Sequence, residues 1–264
     1  MYTHIIIEKE GGIASLILNR PEQSNAFDEG MISEFHHALT ILSEDPTLRV
    51  LLLQARGKHF SAGADLNWMR RVLAYNEAQN LEDARKLADL MYKLARFPTP
   101  TIALVQGATY GGGVGLVACC DLALASPSAI FCLSEIKLGL IPAVISPYVI
   151  RAIGERAAHR YFLTAESFTA EHALHLGLVH EVVPEDLITR ARALAEKICE
   201  NAPRATRAAK DLIFRVAPLP EDLLIQDTVK RIAEIRVTPE AQEGLKAFLE
   251  KRKPKWEEMF EKKT

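Results

Sequence analysis

The sequence predicts an α/β fold, on the basis of two observations. Apolar runs rich in Ile, Val and Leu alternate with helical patterns through the first two-thirds of the 264-residue chain. Several of these runs are short and continuously apolar, which is typical of strands covered on both faces. From about Pro184 the pattern is helical only. We therefore predict an α/β core with the functional site over residues 1–190 and a helical region over residues 191–264.

The elements can be assigned in chain order. Two Ile-rich runs flank Gly11-Gly12, a pair typical of a two-residue hairpin turn. A stripe of apolar residues between Met31 and Leu42 at helical spacing predicts the first helix. Further strands are predicted at 50–53, 101–106 and 122–125, and further helices near 81–94 and at 187–199, 204–216, 223–235 and 241–251.

Composition narrows the function classes. A hydrophobic content of 48% and a charged content of 25% are ordinary for a soluble globular protein. The formal net charge of -2 argues against a nucleic-acid partner, since phosphate binding normally needs a basic excess. No apolar run reaches the ~20 residues that span a bilayer, and the first residues lack a secretory signal. Four cysteines without a disulfide or metal-binding spacing favour a reduced, cytoplasmic protein.

Two loops dense in small residues follow two successive predicted strands. The first covers residues 57–66, and the second covers residues 107–116 and leads into a helix. Each loop alone is compatible with a tight turn, and neither matches a dinucleotide or Walker fingerprint. Together they suit one N–H from each loop pointing at a single oxygen. Such a pair stabilises developing negative charge.

Five ordered segments resemble one known family. They are Asn19-Arg20-Pro21 with Asn25-Ala26, residues 60–66, residues 107–121, residues 134–142, and Glu243-Gly244 with residues 248–252. These segments resemble those of the enoyl-CoA hydratase/isomerase, or crotonase, superfamily. The resemblance implies a crotonase-type ββα superhelical spiral with a C-terminal helical trimerisation region. It also implies a homotrimer or a homohexamer built as a dimer of trimers, with no metal and no cofactor beyond the coenzyme A of the substrate.

The resemblance assigns roles to particular positions. The N–H groups of Ala64 and Gly112 would form an oxyanion hole, and Glu135 falls on one of the two catalytic glutamates of typical hydratases. Partial burial would raise the pKa of Glu135 and suit it to acid/base work. Positions resembling those that receive coenzyme A are Ala26, Lys58, Ala62, Asp65, Leu66, Phe248 and Lys251. For the lysines, a solvated basic surface is an equal alternative. Trp68 and Met69 are candidates for lining the acyl pocket or for ordinary packing.

One position departs from the family pattern. Typical hydratases carry a second glutamate where this chain has Gly115. The surrounding residues nevertheless resemble bacterial members assigned as methylglutaconyl-CoA hydratases of leucine or acyclic terpenoid breakdown. We hypothesise that the substrate's distal carboxylate, or a water held by Tyr110, replaces the missing group. The resemblance thus implies reversible addition of water to an α,β-unsaturated acyl-CoA. The alternatives are a Δ3,Δ2-enoyl-CoA isomerase with Glu135 as its only base, and a non-catalytic paralogue that binds acyl-CoA or RNA.

Overall fold

The computed structural model describes residues 2–72, 74–217 and 238–255. The chain divides into two compact units, residues 1–195 and residues 196–264. The helix predicted at 223–235 lies outside the described residues. Within the described ranges, none of the helices combines the length and apolar character needed to cross a bilayer.

The first unit is built from nine strands and six helices, followed by the start of a seventh helix, among its described residues. The strands are β1 Ile5–Glu10, β2 Ile13–Leu18, β3 Val50–Ala55, β4 Thr101–Val105, β5 Ala108–Tyr110, β6 Leu122–Ala125, β7 Ile130–Cys132, β8 Ser167–Thr169 and β9 Glu181–Val182. The helices are α1 Glu29–Glu44, α2 Leu66–Val72, α3 Glu77–Ala95, α4 Gly112–Cys119, α5 Ser146–Thr164, α6 Ala170–Leu176 and α7 Leu187–Cys199, the last of which crosses the boundary between the units.

A six-stranded sheet in the order β1-β2-β3-β4-β6-β9 forms the centre of this unit. The β1–β2 hairpin is antiparallel, as predicted, and the remaining pairs are parallel. Parallel strands end at the same edge of a sheet, so the segments after β3 and β4 start side by side. The chain then enters a second sheet, in the order β5-β7-β8, only two residues beyond β4.

Burial explains why the main elements were predictable. Every residue of β4 and the first four residues of β3 are buried, as their continuous apolar runs indicate. The apolar stripe of α1 is also buried, and the Asp28 carboxylate caps this helix by accepting the N–H of Met31 at 2.8 Å. By contrast, β5, β7 and β8 have only three residues each, too few for an alternating pattern to repeat. Such short strands leave no periodic signal, and they were not predicted as a second sheet.

The second unit is helical in its described residues, as predicted. It contains the end of α7, then α8 Pro203–Val216 and α9 Pro239–Leu249. Glu240 is almost fully buried and its carboxylate accepts the N–H groups of Arg204 and Ala205, at 3.1 and 2.8 Å. A carboxylate at this place satisfies donors that the first turn of α8 leaves free. The packing of α9 near α8 is therefore fixed by a polar contact as well as by apolar burial.

Candidate active site

The two predicted loops run side by side as a short parallel ladder. The N–H of Phe60 donates to the carbonyl of Gln106 at 2.8 Å, and the N–H of Ser61 donates to the carbonyl of Ala108 at 3.1 Å. The N–H of Tyr110 donates back to the carbonyl of Ser61 at 2.9 Å. The ladder holds the backbone after β3 in fixed register with the backbone after β4.

This register leads toward Ala64 and Gly112. Ser61 and Thr109 pair as a parallel bridge. Ala64 lies three residues after Ser61, and Gly112 lies three residues after Thr109. Glycine at residue 113 allows α4 to lie close to the first loop. A Cβ atom on Gly113 would lie 2.9 Å from the carbonyl oxygen of Ser61, which is closer than real Cβ contacts allow. The backbone of α4 can therefore lie against the first loop only because this position has no side chain.

The N–H groups of Ala64 and Gly112 have no hydrogen-bond partner in the part of the chain that the structure describes. The residues flanking Ala64 are tied to Phe27, whose N–H donates to the Gly63 carbonyl at 2.7 Å and whose carbonyl accepts the Asp65 N–H at 2.8 Å. Gly112 is the first residue of α4, so its N–H has no acceptor within the helix. Within residues 2–72, 74–217 and 238–255, neither N–H donates a hydrogen bond. Two strong donors are therefore available to a ligand.

These donors lie at an apolar cavity of about 340 Å³. It is lined by Phe27, Ala62, Gly63, Ala64, Trp68, Met69, Ala84, Leu87, Gly111, Gly112, Ser134, Glu135, Leu138, Leu140, Ile141, Pro142, Ala143, Val144 and Ile145. A mostly apolar lining with a few convergent polar groups is typical of a small-molecule site. In the described part of the chain, no three His, Cys, Asp or Glu side chains converge as metal ligands would.

Glu135 supplies the carboxylate of this cavity. It begins a short 3₁₀ helix, Glu135–Leu138, and is half-buried. Burial raises the pKa of its carboxyl group above the ordinary value. Its Oε2 atom is buried and has no hydrogen-bond partner among the described residues, while Oε1 lies 3.1 Å from the place of a Cβ on Gly111. A poorly solvated carboxylate beside two free N–H donors is suited to moving a proton.

The cavity wall beside Gly115 is filled by other side chains. A Cβ on Gly115 would lie 2.3 Å from Cγ2 and 2.9 Å from Cβ of Ile145, and 3.3 Å from Cε of Met91. Ile145 lines the cavity and is itself buried. A second glutamate at residue 115 could not be accommodated unless Ile145 moved. Packed apolar atoms thus fill the place beside Gly115 where a second carboxylate would begin.

Ser134, immediately before Glu135, also lines the cavity. Its hydroxyl caps no helix and makes no hydrogen bond with a described residue. Sequence reasoning did not single out this serine, nor Phe27 or the stretch 138–145, as part of the site. The apolar run after Glu135 was a visible signal, because a catalytic carboxylate followed by apolar residues indicates a pocket wall.

The rim of the cavity is apolar and open to solvent. Leu138, Leu140 and Ile141 expose 59%, 58% and 74% of their surfaces. Trp68 and Met69 both line the cavity, and Trp68 also packs in the hydrophobic core. The Trp68 Nε1–H donates to the Asp83 carboxylate at 3.3 Å, so the indole is anchored from behind.

Two of the other predicted positions have internal partners. The carbonyl of Ala26 accepts the guanidinium of Arg20 at 2.6 Å, and the same guanidinium reaches the Asp65 carboxylate at 3.1 Å. Burial opposes ionisation of Asp65, but hydrogen bonds from the N–H groups of Asn67 and Trp68 and from Arg20 lower its pKa overall. Asp65 therefore has a visible structural role in holding the first loop and the start of α2.

Five predicted positions remain, three in the first unit and two in the second. Lys58 is exposed on the first loop, and Leu66 exposes 70% of its surface. Tyr110 packs its backbone against Gly63 but is not among the described residues that line the cavity. In the second unit, Lys251 is exposed and has a positive φ of 53°. Phe248 falls in α9, but its side chain lies outside what the structure describes.

Comparison with known proteins identifies the family. The family model for enoyl-CoA hydratase/isomerase matches residues 8–259. The chain belongs to the enoyl-CoA hydratase/isomerase family. Membership confirms the resemblance that the five sequence segments indicated, and it makes this chain an enzyme of that family.

Individual relatives in this family agree in both sequence and fold. An enoyl-CoA hydratase from Shewanella pealeana has a solved structure with 48% identity and a TM-score of 0.94, covering 97% of this chain and 96% of that one. This confirms the predicted crotonase fold. The 2,3-dehydroadipyl-CoA hydratase of Escherichia coli is 32% identical over 254 residues, 96% of this chain and 98% of its own. The crotonyl-CoA hydratase of Syntrophomonas wolfei is 32% identical over 259 residues, 96% and 97% of the two chains.

Proposed function

We propose that this enzyme adds water reversibly to the α,β double bond of an enoyl-CoA. The observation that supports it is the combination at one apolar cavity of two unpartnered N–H groups, on Ala64 and Gly112, with the poorly solvated carboxylate of Glu135. Hydration of an enoyl thioester needs both the hydrogen-bond donors and the carboxylate, since charge develops on the carbonyl oxygen while a proton moves between water and carbon.

In the proposed reaction, the thioester oxygen accepts hydrogen bonds from the N–H groups of Ala64 and Gly112. Glu135 takes a proton from water as the water oxygen bonds to the β carbon, and the π electrons move to form an enolate. The two N–H groups stabilise the enolate oxygen, and losing one such donor typically costs about 3–4 kcal/mol. Glu135 then returns a proton to the α carbon, which restores its carboxylate.

For the acyl group, we propose a branched or carboxylate-bearing enoyl chain such as 3-methylglutaconyl-CoA. A substrate carboxylate could assist water activation where the protein has Gly115 and the packed side chain of Ile145. The resemblance to methylglutaconyl-CoA hydratases supports this choice. The Escherichia coli relative is named for 2,3-dehydroadipyl-CoA, the thioester of an acid with a second carboxyl group. The crotonyl-CoA hydratase relative makes a short unbranched substrate the natural comparison.

The specific observation at Gly115 also favours a second candidate, a Δ3,Δ2-enoyl-CoA isomerase. Such an enzyme moves one proton from the α carbon to the γ carbon and incorporates no water. One carboxylate is enough for that shuttle, and the three atoms nearest to a Cβ on Gly115 are apolar atoms of Ile145 and Met91.

Turnover of three substrates by wild type and Glu135→Gln separates these candidates. The panel is crotonyl-CoA, 3-methylglutaconyl-CoA and a 3-enoyl-CoA, assayed in ¹⁸O-labelled and deuterated water. Hydration of the branched substrate, lost in the variant, is the expected result. Conversion of the 3-enoyl-CoA without ¹⁸O uptake would instead establish an isomerase. Calorimetric binding of acyl-CoA without any turnover would indicate a non-catalytic paralogue.

We further propose a homotrimer or a dimer of trimers, assembled through the helical region from residue 191. The family resemblance supports this assembly, and native mass spectrometry tests it. A cytoplasmic setting is supported by the sequence, whose four cysteines lack the spacing of a disulfide framework. No cofactor is proposed besides the coenzyme A of the substrate, so extensively dialysed protein is expected to retain full activity.

A further inference from the structure

A single carboxylate leaves one requirement of hydration unmet. An attacking water must direct a lone pair at the β carbon, which requires both of its O–H bonds to be oriented. Glu135 can accept one of them. The place where a second carboxylate would stand, at Gly115, is filled by Ile145 and Met91, which offer no hydrogen-bonding oxygen or nitrogen.

Few other polar side chains are available at this cavity. Among the described lining residues, only Trp68, Ser134 and Glu135 carry a hydrogen-bonding side chain. The Trp68 Nε1–H is a donor only, and it is already engaged by Asp83. The hydroxyl of Ser134 makes no hydrogen bond with a described residue, and it belongs to the residue directly before Glu135.

We propose that the Ser134 hydroxyl holds the reacting water together with Glu135. The water donates one hydrogen to the Glu135 carboxylate and the other to Ser134 Oγ, which leaves a lone pair for the β carbon. A serine hydroxyl can accept this bond and still donate its own hydrogen elsewhere. The role rests on the proposed hydration, because an isomerase would use no water at this position.

The proposed role of Ser134 concerns only the water, so it can be measured separately from the roles of Glu135 and the two N–H donors. Removal of an α proton from a saturated acyl-CoA requires only Glu135 and the two N–H donors. Exchange of the α protons of butanoyl-CoA with deuterium in ²H₂O therefore measures those groups without the water. Hydration of an enoyl-CoA measures all of them together.

The test compares Ser134→Ala and Ser134→Thr with wild type and with Ser128→Ala as a matched control. Ser128 is an exposed serine whose hydroxyl pairs with Ser126 in the turn before β7. In Ser134→Ala we expect kcat for hydration to fall about 10–30-fold, the effect of one lost hydrogen bond. KM, butanoyl-CoA exchange and the thermal midpoint should stay unchanged. Ser134→Thr, which keeps a hydroxyl, should restore most of the rate.

Each other outcome has a definite meaning. Hydration by Ser134→Ala at the wild-type rate would overturn the role of Ser134 alone. An equal loss of hydration and α-proton exchange would also overturn it, because the substitution would then act through Glu135 or the N–H donors. Wild-type protein that exchanges butanoyl-CoA protons but hydrates no panel substrate would overturn the proposed function itself.

Discussion

The two halves of the candidate site are constructed in different ways. One half, at Ala64 and Gly112, consists of backbone N–H groups held by the ladder between the segments that follow β3 and β4. The other half consists of the side chains of Ser134 and Glu135, beside a wall formed by Ile145. Backbone donors are present in any residue except proline, whereas acid/base chemistry depends on which side chains occupy a few positions.

This difference suggests how the site can vary. The backbone half depends on small residues that permit close approach, so it tolerates little change. The side-chain half can lose a carboxylate and still remain packed, as Gly115 and Ile145 illustrate. The backbone N–H groups of the first half would stabilise an oxyanion. The side chains of the second half would determine where the proton is transferred.

Replacing the carboxylate should have the largest effect. We expect Glu135→Gln to lower kcat by about 10²–10⁴-fold, the usual contribution of a positioned acid/base. The fold should survive, since Oε2 of Glu135 makes no hydrogen bond with any residue that the structure describes. Steady-state turnover and circular dichroism check both points. A variant with near-wild-type kcat would mean that another group is the base.

The same carboxyl group should influence stability with a definite sign. Burial raises the pKa of Glu135 in the folded state, so the folded protein is favoured at low pH, where this group is protonated. That contribution is lost as the pH rises through the raised pKa. The thermal midpoint of Glu135→Gln relative to wild type should therefore increase with pH. The reverse trend would contradict a raised pKa.

Disturbing the backbone half should have the next largest effect. The methyl group of Gly113→Ala would lie 2.9 Å from the Ser61 carbonyl oxygen and separate the loops. We expect a loss of about 1–3 kcal/mol in unfolding free energy from overpacking, and a fall in kcat of up to about 10²-fold if a donor is displaced. Denaturant titration and turnover measure these effects.

Gly11→Ala provides the control for that variant. Gly11 has a positive φ of 55° in the β1–β2 turn, but an added methyl group there meets nothing within 4 Å. It should cost about 1 kcal/mol of backbone strain and leave kcat unchanged. Equal losses of activity in both variants would show that the Gly113 effect is not local to the site.

Adding the missing carboxylate should have a smaller and coupled effect. Gly115→Glu alone should destabilise the protein by at least about 1–3 kcal/mol, because the new side chain overlaps Ile145. The double variant Gly115→Glu/Ile145→Ala should recover part of that loss and hydrate crotonyl-CoA faster than Ile145→Ala alone. A double-mutant cycle of thermal unfolding measures the coupling. Simple additivity would contradict a direct overlap.

Removing the Asp65 carboxylate should have the smallest effect. Asp65→Ala removes acceptors for the N–H groups of Asn67 and Trp68, at a cost of about 1 kcal/mol. Because the folded-state pKa of Asp65 is lowered, its contribution is present above the ordinary value near 3.8 and is lost as the pH falls through the lowered pKa. Unfolding measured between neutral and acidic pH checks this trend.

Asp186→Ala is the matched control for Asp65→Ala. Asp186 accepts the N–H groups of Ile188 and Thr189 at the start of α7 and does not line the cavity. Both variants should lose stability, but only Asp65→Ala should also lower kcat, because Asp65 directly follows Ala64. A matching loss of kcat in both would argue against local positioning.

The parts of the site that could be predicted are those that depend on residues close together in the sequence. The loops at 57–66 and 107–116 are recognisable because close backbone approach demands small residues in a row. The main strands and α1 were recognisable from continuous or periodic apolar patterns. The sequence did not reveal that the space at Gly115 is filled, since Ile145 lies thirty residues further along the chain and Met91 lies on α3. Ser134 gave no signal because a single serine is compatible with almost any surface.

The apolar rim has a thermodynamic consequence. Leu138, Leu140 and Ile141 leave more than half of their surfaces in water. An acyl group that covers this rim would release the water ordered around it, and burial of apolar surface lowers the heat capacity. Calorimetric titration at several temperatures should therefore give a negative ΔCp of binding that becomes more negative as the acyl chain lengthens. Binding enthalpy at this site would thus depend steeply on temperature, even where the affinity changes little.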